Sequence, residues 1–207
     1  MNNIWKMAKL DYYLMKTYSK TIIFTMIYPA VMAIMNKSLV SGISFVMVFM
    51  GMMSGYVFLI SEKNDMGRLY SILPVSKKHM VLGRYLYVGL FGLSVLLISL
   101  PMQLIILQVL GITVSSEDIL GAVLTGIITF SFYPVFLFPG YYKYGYIKGR
   151  YLVLIPLAGY LGLLFLGNKL DLRINPVIFI IALLMLCIIG IFLSMAASIR
   201  ILQDKEA

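Results

Sequence analysis

Seven of the chain's Asp, Glu, Lys and Arg residues are gathered between Glu62 and Arg84, in the stretch EKNDMGRLYSILPVSKKHMVLGR, with a long apolar run on either side. The chemistry this set can do is recognition in water. A covalent reaction would need a nucleophile and base, and the residues for one are missing. His79 is the only histidine and stands in a Lys-Lys-His cluster, which reads as a solvated or partner-facing group. Cys187 is the only cysteine and lies in the apolar run ALLMLCIIG, where a thiol behaves as a small buried apolar group. One His and one Cys cannot build a metal site by themselves. The phosphate-cradling pattern G-x-x-x-x-G-K-[ST] is absent, so this chain carries no nucleotide-hydrolysing loop of that type.

Local signals within the charged stretch give it a shape. Asn64 and Asp65 can cap a short helix over 62–73, and Leu69, Tyr70 and Leu73 give that helix an apolar edge. Gly67 allows close backbone approach. Pro74 stops the helix, because the residue before a proline avoids the helical region. Ser76 can then cap a new helix that starts at Lys77 and runs on into an apolar span. A short helix, a break and a re-entry make an element that can seat in a cleft on a soluble protein. A solvated loop with ordinary charges is the plainer alternative.

The elements that must hold this segment are membrane helices. The 207 residues are 61% hydrophobic, with a mean hydropathy of +0.96, whereas soluble domains hold about 45–50% apolar residues. We read a single transmembrane domain, 1–207, that is all-α and polytopic. Six spans are expected at about 21–36, 41–60, 82–110, 119–139, 151–167 and 177–198. The first is short, about 24 Å at the helical rise. Pro101 should bend the third. Ser115 through Asp118 opens the fourth with a cap and acids at the positive end of the helix dipole. Asn175-Pro176 opens the sixth, the most apolar.

Charge places these spans. The net charge is +9, but the bases sit between apolar runs, which suits topology and headgroup contacts better than nucleic acid. Fourteen of the 17 bases fall on one side of the six-span plan and Lys37, Lys169 and Arg173 on the other. Both termini and the 61–81 segment are therefore expected in the cytoplasm. Residues 2–20 read as an interfacial helix, with Trp5, Ala8, Tyr12, Met15 and Tyr18 recurring among four lysines. The loop 140–151, GYYKYGYIKGRY, reads as tyrosine anchoring at the interface.

Within the spans, Tyr28, Tyr56, Gln103 and Tyr133 are polar candidates for a substrate path, against the alternative of helix–helix hydrogen bonding. Gly51-Met-Met-Ser-Gly55 is a small-residue motif that suits close helix packing. No acid within a span pairs with a base within a span, so an ion or proton relay is not expected.

The stretch from Glu62 through Leu73-Pro74-Val75-Ser76-Lys77 to Gly83-Arg84-Tyr85 resembles the cytoplasmic signature of type-2 permeases of the ATP-binding-cassette exporters. The six-span plan and the N-terminal helix extend the resemblance along the chain. It is similar to small bacterial forms without extracellular domains, such as those that export phenol-soluble modulins. The resemblance implies a bacterial cell-membrane protein that pairs with a second permease subunit, identical or not. Each subunit would be docked on a cytoplasmic ATPase through Glu62, Asp65, Met66, Gly67, Arg68, Leu69, Tyr70, Leu73 and Pro74. ATP and magnesium would belong to that partner, with no cofactor held by this chain. The cargo would be a hydrophobic or amphipathic molecule, such as a peptide. A nonenzymatic assembly or regulatory subunit that uses the same surface is the rival reading.

Overall fold

The computed structural model describes residues 3–25, 27–67, 70, 75–155, 158–159 and 176–204. These residues form helices α1 (Asn3–Lys16), α2 (Ser19–Thr25), α3 (Ile27–Asn36), α4 (Leu39–Ser54), α5 (Tyr56–Lys63), α6 (Lys77–Val109), α7 (Ser116–Gly149) and α8 (Pro176–Asp204), with a 3-10 turn at Arg150–Val153. Among the described residues, four helical stretches are long and apolar enough to cross a membrane: Leu39–Lys63, Lys77–Val109, Ser116–Val153 and Ile181–Asp204. They correspond to the expected second, third, fourth and sixth spans. The expected first span is helical in two pieces, α2 and α3, neither of spanning length. Most of the expected fifth span lies outside the described residues.

The bundle is apolar on its outer surface as well as in its core. On α4, Ile43, Val46, Met47 and Met50 are buried at helical spacing, while on α6 the apolar Leu90, Leu93, Leu97 and Ile98 are exposed. On α8 the outward residues include Ile181, Met185, Ile189 and Phe192, while Ser194 and Ser198 face inward and are buried. Apolar side chains turned out and hydroxyls turned in are what hydrocarbon surroundings require, because a polar group in lipid has no water to bond.

The main packed pairs are α4 with α7, α8 with α7, α1 with α6 and α4 with α6. The small residues read from the sequence make the first of these seams. A Cβ at Gly51 would lie 2.4 Å from the Tyr133 ring, and one at Gly55 would lie 2.9 Å from the Tyr141 hydroxyl. The motif therefore seats two aromatic rings of the same chain.

Helix ends follow the sequence closely. Ser115 accepts from the Asp118 amide, and Asp118 accepts from the Ser115 amide at 3.0 Å, a complete capping box. α6 starts at Lys77, after Ser76. The Ser76 hydroxyl does not cap it, however, and is hydrogen-bonded instead to the His79 imidazole.

One expectation is overturned. The stretch read as a tyrosine-rich loop at 140–151 is helical, the continuation of α7 up to Gly145, where the helix breaks, and again from there to Gly149. Tyr141 and Tyr142 are buried rather than anchored at a surface, and both pack their rings 5.0 Å from Phe58. Burying two large rings outweighs the local preference of a Gly- and Tyr-rich stretch for a turn. The helix also tolerates Pro139, which cannot bond the carbonyl of Val135. The Ser194 hydroxyl on α8 reaches that carbonyl at 2.9 Å and the Tyr85 hydroxyl at 2.7 Å, so α6 and α8 together cover the gap.

Replacing Gly51 by Val should force Tyr133 out of its seat and lower stability by about 1–3 kcal/mol, as overpacking does. Gly89 has nothing within 4 Å of an added Cβ. Gly89→Ala should leave stability unchanged or raise it by up to about 1 kcal/mol. Thermal unfolding of the purified variants in one detergent compares the two.

Candidate functional site

The charged segment joins the bundle at a side-chain cluster around Arg84. Arg84 stands two turns into α6, a register that turns its side chain toward α1, α5 and α7. There it is 7% exposed. Its Nε donates to Asp11 Oδ2 at 3.2 Å, and its terminal nitrogen donates to Asp11 Oδ1 at 3.3 Å, a two-pronged ion pair with a carboxylate that is 2% exposed. The two hydrogens of the same nitrogen are shared with the Ser61 hydroxyl at 3.0 Å and the Tyr70 hydroxyl at 3.2 Å. The guanidinium lies 4.4 Å from the Phe58 ring centre and 5.9 Å from that of Tyr142. Planar charge, a fork of donors and two aromatic faces use arginine's geometry in ways lysine cannot match.

Each partner comes from a different element. Asp11 is on α1, where it shares the buried face with Met7, Ala8 and Met15. α1 reaches α6 because Gly83 has no side chain, and a Cβ there would lie 2.5 Å from Met7 Cβ. Phe58 and Ser61 are on α5, and Tyr142 is on α7. Tyr70 belongs to the charged segment itself. Burial pushes the Tyr70 hydroxyl above its ordinary pKa, the nearby Arg84 and Ser61 pulling the other way. It therefore stays protonated at neutral pH.

Glu62 has a separate task. Gly145 breaks α7 with φ 77° and ψ 172°, a backbone shape that suits glycine. The amide that follows loses its helical partner, and Glu62 accepts from the Tyr146 N–H at 2.7 Å. A cleft of about 340 Å³ opens beside the cluster, lined in part by Glu62, Gly67, Tyr70, Met80 and Tyr146.

The residues singled out from the sequence are thus divided. Glu62 ends α5 and braces α7, and the chain turns at Asn64 and Asp65, where Asp65 has φ 49°. The expected helix over 62–73 therefore starts later than Glu62, with Met66 and Gly67 its first described helical residues. Gly67 is exposed with open space about it, and Tyr70 joins the Arg84 cluster. Arg68, Leu69, Leu73 and Pro74 lie outside the described residues. Of the substrate-path candidates, Tyr133 is buried in the α4–α7 seam and Tyr56 packs edge-on to Tyr146. Gln103 is fully buried, and among the described residues neither end of its amide has a hydrogen-bond partner. Tyr28 is on α3, and its side chain is not described.

The sequence reading missed Asp11. It took Trp5, Ala8, Tyr12, Met15 and Tyr18 as the recurring residues of an interfacial helix; of these Ala8 and Met15 are buried, whereas Trp5 and Tyr12 are about half exposed. The signal was present: an acid placed at helical spacing from Met7, Ala8 and Met15 interrupts an apolar face and demands a buried partner. Among the described residues no group of three His, Cys, Asp or Glu could hold a metal ion.

Removing one charge of the cluster should be worse than removing both. Asp11→Asn leaves Arg84 buried without its counter-charge and should cost about 3–5 kcal/mol, while the Asp11→Leu/Arg84→Met double variant should recover most of that loss. Denaturant unfolding in mixed micelles measures both.

No curated protein and no solved structure matches this chain. A sequence model of one family does, the family described as ABC-2 family transporter protein, and it covers residues 6–203. That match takes in the helix bearing Asp11, the charged segment, the Arg84 cluster and all four helices of spanning length. The chain belongs to the ABC-2 transporter family, whose members are membrane permease components that generally work with a cytoplasmic ATPase.

Proposed function

We propose that this chain is the permease subunit of an ATP-driven exporter in a bacterial cell membrane, moving a hydrophobic or amphipathic substrate such as a peptide. In this reading it has six spans, with both termini and the 61–81 segment in the cytoplasm. It pairs with a second permease subunit, and a separate ATPase docks on the segment that follows α5. The observation that carries the reading is the Tyr70–Arg84–Asp11 chain of contacts. Family membership and the missing phosphate loop support it.

The physical logic is mechanical. A motor that pushes on the 64–76 segment moves Tyr70, and Tyr70 is bonded to a guanidinium that also holds α1, α5 and α7. A packed, hydrogen-bonded cluster passes a displacement on as a rigid unit, because protein interiors are dense and only slightly compressible. α6 and α7 would then tilt together and change which side of the bundle is open. Cargo selection would fall to apolar helix faces, where methionine-rich, polar-poor surfaces adapt to varied partners.

Docking is best tested away from Glu62, since that carboxylate braces α7. Gly67→Arg adds bulk to an exposed site, and Leu69→Asp puts a charge on the expected apolar edge. Either should cut the ATPase retained on purification at least tenfold, with the melting temperature of the permease unchanged. Full retention by both variants would sink the docking assignment. Vesicles holding the permease and its ATPase should accumulate a labelled amphipathic peptide only with ATP present. Firm ATPase binding without transport of any such cargo would favour an assembly or regulatory subunit instead.

A further inference from the structure

A groove of about 550 Å³ runs between α1 and α6. Trp5, Tyr12 and Met15 form one wall, and Tyr87, Leu90 and Phe91 form the other. We propose that this groove binds one phospholipid with an anionic headgroup. Its volume is in the range of specific small-molecule sites, about 300–1,000 Å³.

Three observations select that occupant. First, the groove is two-natured. Its walls are apolar and aromatic, while Lys9 and Lys16 stand at its edge as exposed side chains. Ser94 adds little polarity, because its hydroxyl donates back to the Phe91 carbonyl at 2.7 Å. Second, the charge is of one sign. No acid lines the groove, and the one acid on α1, Asp11, is turned away and held by Arg84. Among the described residues neither lysine forms an ion pair. Lys9 lies 5.8 Å from the Tyr13 ring, a contact that steadies it without neutralising it. Third, the dimensions fit a lipid lying along a span. Tyr87 to Ser94 covers about 10 Å of α6 at the helical rise, enough for the glycerol backbone and the first part of an acyl chain. Lys9 and Lys16 are two turns apart, and their long stems can bring both ammonium groups to one phosphate. A basic pocket beside membrane helices is a known form of acidic-lipid site.

The position gives the lipid a consequence. Ala8 and Met15 line the groove and also flank Asp11 on the buried face of α1, so a lipid seated there bears on the contact between α1 and α6 that keeps the carboxylate beside Arg84.

Trp5 is the only tryptophan in the chain and lines the groove, so it reports occupancy directly. The full chain, in a neutral detergent, is titrated with phosphatidylglycerol or phosphatidylcholine carrying brominated acyl chains, which quench tryptophan on contact. Phosphatidylglycerol should half-quench Trp5 at a several-fold lower mole fraction than phosphatidylcholine. The Lys9→Gln/Lys16→Gln variant should abolish that difference. The Lys6→Gln/Lys148→Gln variant removes the same charge from exposed positions outside the groove and should keep it. Leu90→Trp is unsuitable because it adds a second emitter, but Leu90→Phe narrows the groove and should weaken quenching by both lipids. Equal quenching by the two lipids in the unaltered chain would overturn the proposal. So would equal loss in the two charge variants, which would mean attraction to the surface as a whole. Reversal of phosphatidylglycerol quenching by millimolar inorganic phosphate would also overturn it, by making the site one for free anions.

Discussion

A guanidinium that is 7% exposed cannot stand in a membrane protein's interior without a counter-charge, and Asp11 supplies it. Removing a charge of that size from water costs several kcal/mol even after relaxation, and the attraction between partners repays this only when the geometry is good and every donor is used. At Arg84, Nε and one terminal nitrogen supply that geometry, with a forked ion pair to Asp11, two hydroxyls within reach and a close aromatic face. The placement of α1 follows from this. α1 is a short helix with lysines along it, and little in its own composition would hold it beside α6. Its carboxylate must reach Arg84, and Gly83 leaves the room for it to do so.

The α7 helix depends on borrowed partners in the same way. Pro139 frees a carbonyl that Ser194 of α8 covers, and Gly145 frees an amide that Glu62 of α5 covers. Within the membrane the gap at Pro139 cannot be left for water to fill. A helix with two such breaks is stable only when its neighbours are in place, so α5, α7 and α8 are fixed relative to one another by polar bonds as well as by packing. Stiffness of this kind suits a bundle that moves by tilting whole helices rather than by bending one of them.

Much of the architecture was legible in the sequence because it rests on local rules. Ser115 and Asp118 form the cap that their spacing announces, and α6 begins after Ser76. The long apolar runs are helices. The readings that failed needed knowledge of a partner far along the chain. Tyr141 and Tyr142 look like interfacial anchors until Phe58 is placed against them. Asp11 looks like one more charge on a basic helix until Arg84, 73 residues on, is seen opposite it. Glu62 was read as part of a docking surface, whereas its structural bond is to Tyr146, 84 residues away, across a break that only the φ of Gly145 reveals.

The same fact separates what anchors the charged segment from what it can offer. Tyr70 and Glu62 are used internally, so a partner that gripped them would have to break bonds to Arg84 or to α7. Gly67 faces open space and can be covered without such loss. Under the proposed function, a surface that bound a motor and passed on its motion would need these two sets of residues to be distinct, one exposed to receive the partner and one tied to the bundle. The segment has both within a few residues, Gly67 on the outside and Tyr70 against Arg84. That division also explains why the tie is a hydrogen bond to a buried charge rather than apolar contact alone. An apolar contact can slide as the segment moves, whereas a directional bond to a fixed guanidinium carries displacement in one register.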